Sequence, residues 1–268
     1  MNAQRDALAA LKQRLLPHGQ DGARAAFFST GVPELDGPLG GGLPLGALHE
    51  VYARAPADSA AASGFALALA IRGAGKKPLL WVRQDFADGE AGRLHAPGLV
   101  ELGRDPASLV LVRARDASGV LRAGLEALRC GALGAVGLDL WGEPGLLDLT
   151  ASRRFALAAA ASGVPAIMVR IAAKPQPSAA LTRWSVAAAP SRPLLANAPG
   201  APSFSIRLLR HRAGLEARDW HVEWDRDRCS FREGSPRPEG STLSRPVVPL
   251  PAHRPFAAGQ TGDLRRAG

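Results

Sequence analysis

The chain has 268 residues, a formal net charge of +9, 46% hydrophobic but only 5% aromatic residues, and two cysteines. That is enough apolar chain for one substantial α/β domain with appendages. Cys130 and Cys229 stand far apart with no neighbouring thiol, which argues against a zinc site or a disulfide framework, and no run of about 18 uncharged apolar residues exists to cross a membrane.

In chain order, residues 3–16 place Leu8, Leu11, Leu15 and Leu16 at spacings of three and four, the pattern of an amphipathic helix, which Pro17 stops. Charges inside this short apolar stretch set it apart from a secretory signal, so a cytoplasmic protein is expected. Residues 1–26 are taken as this helix and a linker. Ser29 to Tyr52 carries a glycine triplet (Gly40, Gly41, Gly42), a Leu-Pro-Leu-Gly turn (Leu43 to Gly46) and a short strand from His49 to Tyr52. Residues 57–72 read as a helix with Asp58 or Ser59 as N-cap. Strands follow at Leu79–Val82, Leu109–Val112, Ala135–Leu140 and Ala166–Ile171, interleaved with helices at 116–130 and 147–162 and a short helix or turn at 88–95. This alternation predicts an α/β fold, a mostly parallel sheet with helices on both faces. Two further strands are expected at 181–188 and 204–210, separated by a Pro-rich loop (Pro190 to Pro202), and a closing strand at 217–224. The core is thus placed at 27–232. The Pro- and Arg-rich segment 233–268 cannot bury enough surface to offset its ordering entropy and is expected to be disordered in isolation.

The Ser29–Tyr52 segment resembles the entry to the core of RecA-type recombinases, where a similar Glu-hydrophobic-Tyr step leads into a nucleotide-binding loop. Such a loop needs glycines so that backbone N–H groups wrap the phosphates, a Lys for the outer phosphates and a Ser or Thr for magnesium. Here the chain continues from Ala53 through Arg54, Pro56, Ser59 and Ser63 to Gly64 with none of the G-x-x-x-x-G-K-[ST] pattern. The family order of elements places Asp139 where a magnesium-holding carboxylate stands, and Asp85 where a water-polarising carboxylate stands. Without the Lys and the wrapping amides, these two acids would repel a triphosphate. ATP is therefore not expected as a cofactor, and no residue is assigned to catalysis. No metal site is expected either: His211 and His221 are ten apart without a carboxylate pattern. Ser29, Ser63 and Ser152 lack a G-x-S-x-G elbow.

The basic balance favours phosphate-bearing or acidic partners. Lys174, Arg183 and Arg192 flank the loop after the Ala166–Ile171 strand, and RecA resemblance implies that such loops face DNA. Trp184 is a candidate for stacking on a base, with burial in a strand as the weightier alternative. Arg207, Arg210 and Arg212 give a charged strand face open to phosphate, a partner or solvent. Arg83 and Arg93 are read in the same way, as phosphate contacts or solvated surface.

The segments LLWVRQDFADGEAGRLHAPGL (79–99), GAVGLDLWGEPGLLDLTASRRFALAAA (134–160), SAALTRWSV (178–186) and LLRHRAGLEARDWHVEW (208–224) resemble the ImuA family of RecA-like accessory factors of bacterial SOS mutagenesis. The Trp141–Pro144 step and the Arg212–His221 run are the most specific pieces. The resemblance implies a degenerate nucleotide loop and a non-catalytic role in translesion DNA synthesis. It also implies an ImuB-like Y-family protein and an error-prone DNA polymerase as partners, with RecA and DNA as further contacts and no membrane. Alternatives are a SulA-like cell-division inhibitor, from the same superfamily, and a divergent RecA-like ATPase. A plain single-strand DNA binder would show affinity falling steeply with salt.

Overall fold

The computed structural model describes residues 26–195, 198 and 200–234. The expected amino-terminal helix (3–16) and nearly all of the Pro-rich tail lie outside the described residues. A two-stranded ribbon, β1 (Phe27–Phe28) with β2 (Leu43–Pro44), precedes a nine-stranded sheet. Its strands are β3 (Leu48–Ala53), β4 (Leu79–Gln84), β5 (Leu109–Ala114), β6 (Ala135–Trp141), β7 (Ala166–Ile171), β8 (Thr182–Ala188), β9 (Ser203–His211), β10 (Arg218–Asp225) and β11 (Ser230–Glu233). Their order is β11-β10-β9-β8-β3-β7-β6-β4-β5. The six strands from β8 to β5 are mutually parallel, and β9, β10 and β11 add antiparallel.

Helices cover the parallel part from both sides, because its strands are apolar on both faces. Val51, Trp81, Ile167, Val169 and Trp184 face α2 (Ser59–Ala74) in one core. Their neighbours Leu48, Val82, Leu138 and Met168 face α5 (Ala117–Ala127) and α6 (Leu149–Ser162) in the other. The alternation follows from the two-residue strand period. Asp116 and Asp148 start α5 and α6 by accepting from the amides of Gly119 (2.8 Å) and Ala151 (2.7 Å). Gly163, left-handed at φ 70°, ends α6. Gly137 on β6 lies flat under Trp81: a Cβ there would sit 2.0 Å from the indole ring.

The expected parallel strands and the three long helices stand within a few residues of their predicted positions. Several elements were not predicted, the β1–β2 ribbon among them. The short helix α1 (Pro33–Asp36) precedes the glycine triplet. The 88–95 region holds α3 (Ala87–Ala91), and a further helix, α4 (Ala96–Glu101), follows it. β11 reaches Glu233, one residue into the segment read as tail.

Candidate functional site

In a parallel sheet of this kind ligands bind beyond the carboxyl ends of the strands. Here the chain leaves β3 at Ala53 and turns through Arg54–Asp58 into α2. Pro56 fixes φ and donates no N–H, and a single 3₁₀ turn (Pro56–Asp58) forms instead of a wide wrap. The amides that a phosphate loop would turn inward end on protein oxygens. Arg54 donates its backbone N–H to Val186 O (2.8 Å). The Asp58 carboxylate accepts from the amides of Ala55 (3.2 Å) and Ala188 (3.0 Å). Asp58 stands just ahead of α2 without capping its first amides; its carboxylate ties the turn to the end of β8 instead. The Arg54 guanidinium turns to Ser205 Oγ (3.2 Å). Ser59 is buried in the first turn of α2, with Ser63 and Gly64 one turn further on.

Beneath this turn lies a cavity of about 180 Å³ lined by Ser63, Gly64, Arg83, Gly92, Arg93 and Asp139, among others. Asp139 is 2% exposed, and burial above all pushes its carboxyl up to about 6; Arg83 opposes the shift and Asp88 adds to it. Arg83 is as deeply buried. It donates to the carbonyls of Gly92 (2.9 Å) and Ala87 (3.2 Å) and pairs with Asp88 (3.1 Å) and Asp139 (3.5 Å). The cation closest to the family's magnesium-holding carboxylate is therefore a guanidinium fixed by the protein. Ser63 Oγ, Asp139 Oδ1 and Arg83 Nε have no protein partner. Asp85 is turned away to Arg113 (3.2 Å) on β5, half-exposed, so the polarising role read for it finds no geometry here. Asp88 joins the cavity's charges instead.

Among the described residues no cluster of three or more His, Cys, Asp or Glu side chains has metal-binding geometry. No described helix is long and apolar enough to cross a membrane.

A second buried charge cluster lies on the opposite face of the sheet. Glu50 on β3, fully buried, pairs with Arg183 Nε at 3.0 Å and accepts from Ser178 Oγ at 2.9 Å. Arg183 and the buried Arg170 both approach the Tyr52 ring, at 5.8 and 5.5 Å from its centroid. Burial and Glu50 together push the Tyr52 phenol above its usual range. Arg183 is thus committed to the interior and is withdrawn as a DNA or partner contact. Trp184 is withdrawn too: it is 1% exposed, packs near Phe65, and donates its indole N–H to Thr182 Oγ1 (2.8 Å).

The remaining basic candidates are exposed. Arg207 and Arg54 line an open depression of about 740 Å³ on β8–β10 with Ser185, Asp219 and His221, and Arg207 pairs loosely with Asp219 (3.9 Å). Arg210 and Arg212 continue this strip toward the β9–β10 turn. Lys174 is exposed in the loop after β7, its amide held by Glu143 (2.7 Å). Arg192 and Arg93 are also exposed.

Sequence reasoning placed Arg83 at the surface, where the structure buries it, and missed Asp88. The available signal was position: Arg83 ends an apolar strand in the middle of a sheet covered on both sides, where a long charged side chain has no solvent face to reach.

No protein-family model matches the chain. The proteins named Protein ImuA from two strains of Caulobacter vibrioides, NA1000 / CB15N and ATCC 19089 / CIP 103742 / CB 15, are each 37% identical over 205 residues, covering 70% of this chain and 79% of theirs. Among solved structures, the crystal structure of the RadB recombinase superposes with a TM-score of 0.52 at 16% identity, covering 78% of this chain and 100% of that one. With the strand order above, this makes the fold RecA-like.

Proposed function

Because the chain belongs to the ImuA family, we propose that it is a non-catalytic accessory factor in SOS-induced translesion DNA synthesis. It would act as a docking platform beside an ImuB-like Y-family protein and an error-prone polymerase. The observation that carries the non-catalytic part is Asp58. Its carboxylate takes the amide of Ala55 in the β3–α2 turn and that of Ala188 at the end of β8, tying closed the turn that a nucleotide-binding loop would open around phosphate. The Arg83–Asp139 pair supports the same reading, since a buried guanidinium is a poor neighbour for a magnesium ion. A protein without a phosphate site keeps its surface for partners. The strip Arg54, Arg207, Arg210 and Arg212 is the basic part of that surface, suited to an acidic partner or a DNA backbone.

The test is genetic. Deleting the gene should lower damage-induced mutation frequency to the uninduced level. A copy carrying Arg207→Glu, Arg210→Glu and Arg212→Glu should fail to restore it while accumulating normally. Damage-induced mutagenesis unchanged by the deletion, with cell filamentation on overexpression, would replace this reading by the division-inhibitor one. A partner pull-down separates protein from DNA contact: DNA binding should weaken steeply with salt, by roughly one power of concentration per phosphate contact.

A further inference from the structure

The open depression on β8–β10 has an internal order that fixes the chemistry of its occupant. No side chain of β9, β10 or β11 enters the core beneath α5 and α6. Beyond β8, that side of the sheet is therefore a bare face, and the depression of about 740 Å³ lies in it. Strand register divides the depression into rows. His221 stands opposite Ser205, and Arg54 reaches Ser205 Oγ at 3.2 Å, so one row joins a guanidinium, a hydroxyl and an imidazole. Ser185, Arg207 and Asp219 form the next row. Leu209 and Ala217 line the end beyond it.

Charge on this face is unbalanced. Arg54 donates to a hydroxyl rather than to a carboxylate, and Arg207 holds Asp219 only loosely, at 3.9 Å. Asp58, the acid nearest Arg54 in sequence, is committed to two amides. The buried cluster next door adds to the excess. Tyr52 stands between Ser185 and Arg170 in the sheet. Arg183 has Glu50 as its partner, whereas Arg170 turns to a carbonyl, that of Gly142 (3.5 Å). A buried guanidinium without a counter-charge projects positive potential onto the surface beside it.

The face thus calls for two anions, one per row, about 7 Å apart. The rest of it does not suit a nucleic acid. Trp184, Phe204, Trp220, Trp224 and Phe231, the aromatic residues of β8–β11, all belong to the core on the opposite side, so a base finds no ring to stack on. Asp219, in the second row, repels a continuous phosphate chain. Leu209 and Ala217 call for an apolar side chain, which a sugar-phosphate backbone lacks. An extended peptide meets all three conditions. Its side chains at i and i+2 point the same way about 7 Å apart, and the one at i+4 comes over Leu209.

Resting on the reading of this chain as a docking platform, we propose that the β8–β10 depression seats an extended acidic segment of a protein partner. Two carboxylates spaced i, i+2 meet Arg54 with His221 and then Arg207, and an apolar residue at i+4 meets Leu209.

The test is binding of a fluorescein-labelled peptide containing Asp-Ser-Asp-Ser-Leu to the full-length protein, read by fluorescence anisotropy at low salt. Saturable binding is expected. Replacing both peptide Asp residues by Asn, or combining Arg54→Gln with Arg207→Gln in the protein, should each weaken it about tenfold. Both arginines are exposed, so the variant should keep the thermal midpoint of the parent. A labelled oligothymidylate and a DNA duplex are titrated alongside. DNA binding that needs Arg54 and Arg207, with no binding of the peptide, would overturn the proposal in favour of a phosphate backbone. Peptide binding indifferent to these charges, or no binding by either probe, would overturn it outright. The outcome is separable from the genetic test of the docking role. A gene deletion that leaves mutagenesis unchanged removes that role and leaves this site standing, whereas a peptide that fails to bind removes the site and leaves the role.

Discussion

Asp139 and His49 titrate in one pH window with opposite effects on stability. Asp139 has an ordinary value of 3.8 and is raised to about 6 in the fold. The folded chain thus holds an extra proton between these values, and the stability this confers fades as pH rises through about 6. His49, buried against Pro44 O and Thr182 Oγ1, is lowered from 6.5 to about 4, chiefly by burial. There the unfolded chain holds the extra proton, and stability is lost as pH falls from 6.5 toward 4; His211, buried and also lowered by burial, acts in the same sense. The two effects offset one another in the native protein. Asp139→Asn removes one of them, so urea midpoints measured at pH 4.5, 5.5 and 6.5 should climb more steeply than in the parent. The difference across the window should be on the order of 2 kcal/mol; parallel curves would refute the buried, proton-holding state of Asp139. At the same scale, Arg183→Ala strands a fully buried Glu50. It should cost about 3–5 kcal/mol, while any affinity for DNA, measured where the variant remains folded, stays unchanged. A stable variant with weakened DNA binding would return Arg183 to the surface role that its sequence context suggested. That role was misread because Arg183 and Trp184 adjoin a basic loop in sequence, whereas the partner that internalises the guanidinium, Glu50, is 133 residues away.

The elements were more legible than the side chains between them. Strands such as Ala166–Ile171 are apolar runs broken by a single Arg170, and α5 and α6 announce themselves with Asp116 and Asp148 ahead of an apolar period. The helix at Ala96–Glu101 was missed because it is a single turn and a half with no amphipathic pattern, started by a proline. β11 was missed because its four residues make sense only beside β10, where Phe231 completes the aromatic cluster with Trp224 and Phe65. Two changes probe the elements directly. Gly137→Ala puts a methyl into the Trp81 ring in the central part of the sheet. Overpacking of that kind should cost about 1–3 kcal/mol, and a thermal midpoint within a degree of the parent would contradict the contact. Asp58→Ala frees two amides that hold the β3–α2 turn to the end of β8. It should cost about 1–2 kcal/mol in urea unfolding, and a neutral result would mean that the carboxylate is not the group that closes the turn.

For the molecule as a whole, a RecA-like sheet order has survived around a loop rebuilt for a different end. The missing glycines and lysine were plain in the sequence, and so was the family. What replaced them was not plain, because Asp58 acts across 130 residues on Ala188 and Arg83 acts through residues of a loop and a neighbouring strand. On the proposed reading, function rests on surface, the basic strip on β8–β10 first. The most direct measurement is equilibrium binding of Mg-ATP to the full-length protein by titration calorimetry. A turn closed by its own carboxylate predicts no saturable heat up to millimolar nucleotide. Saturable binding at micromolar ATP, abolished by Asp139→Ala, would contradict it and identify a working nucleotide site.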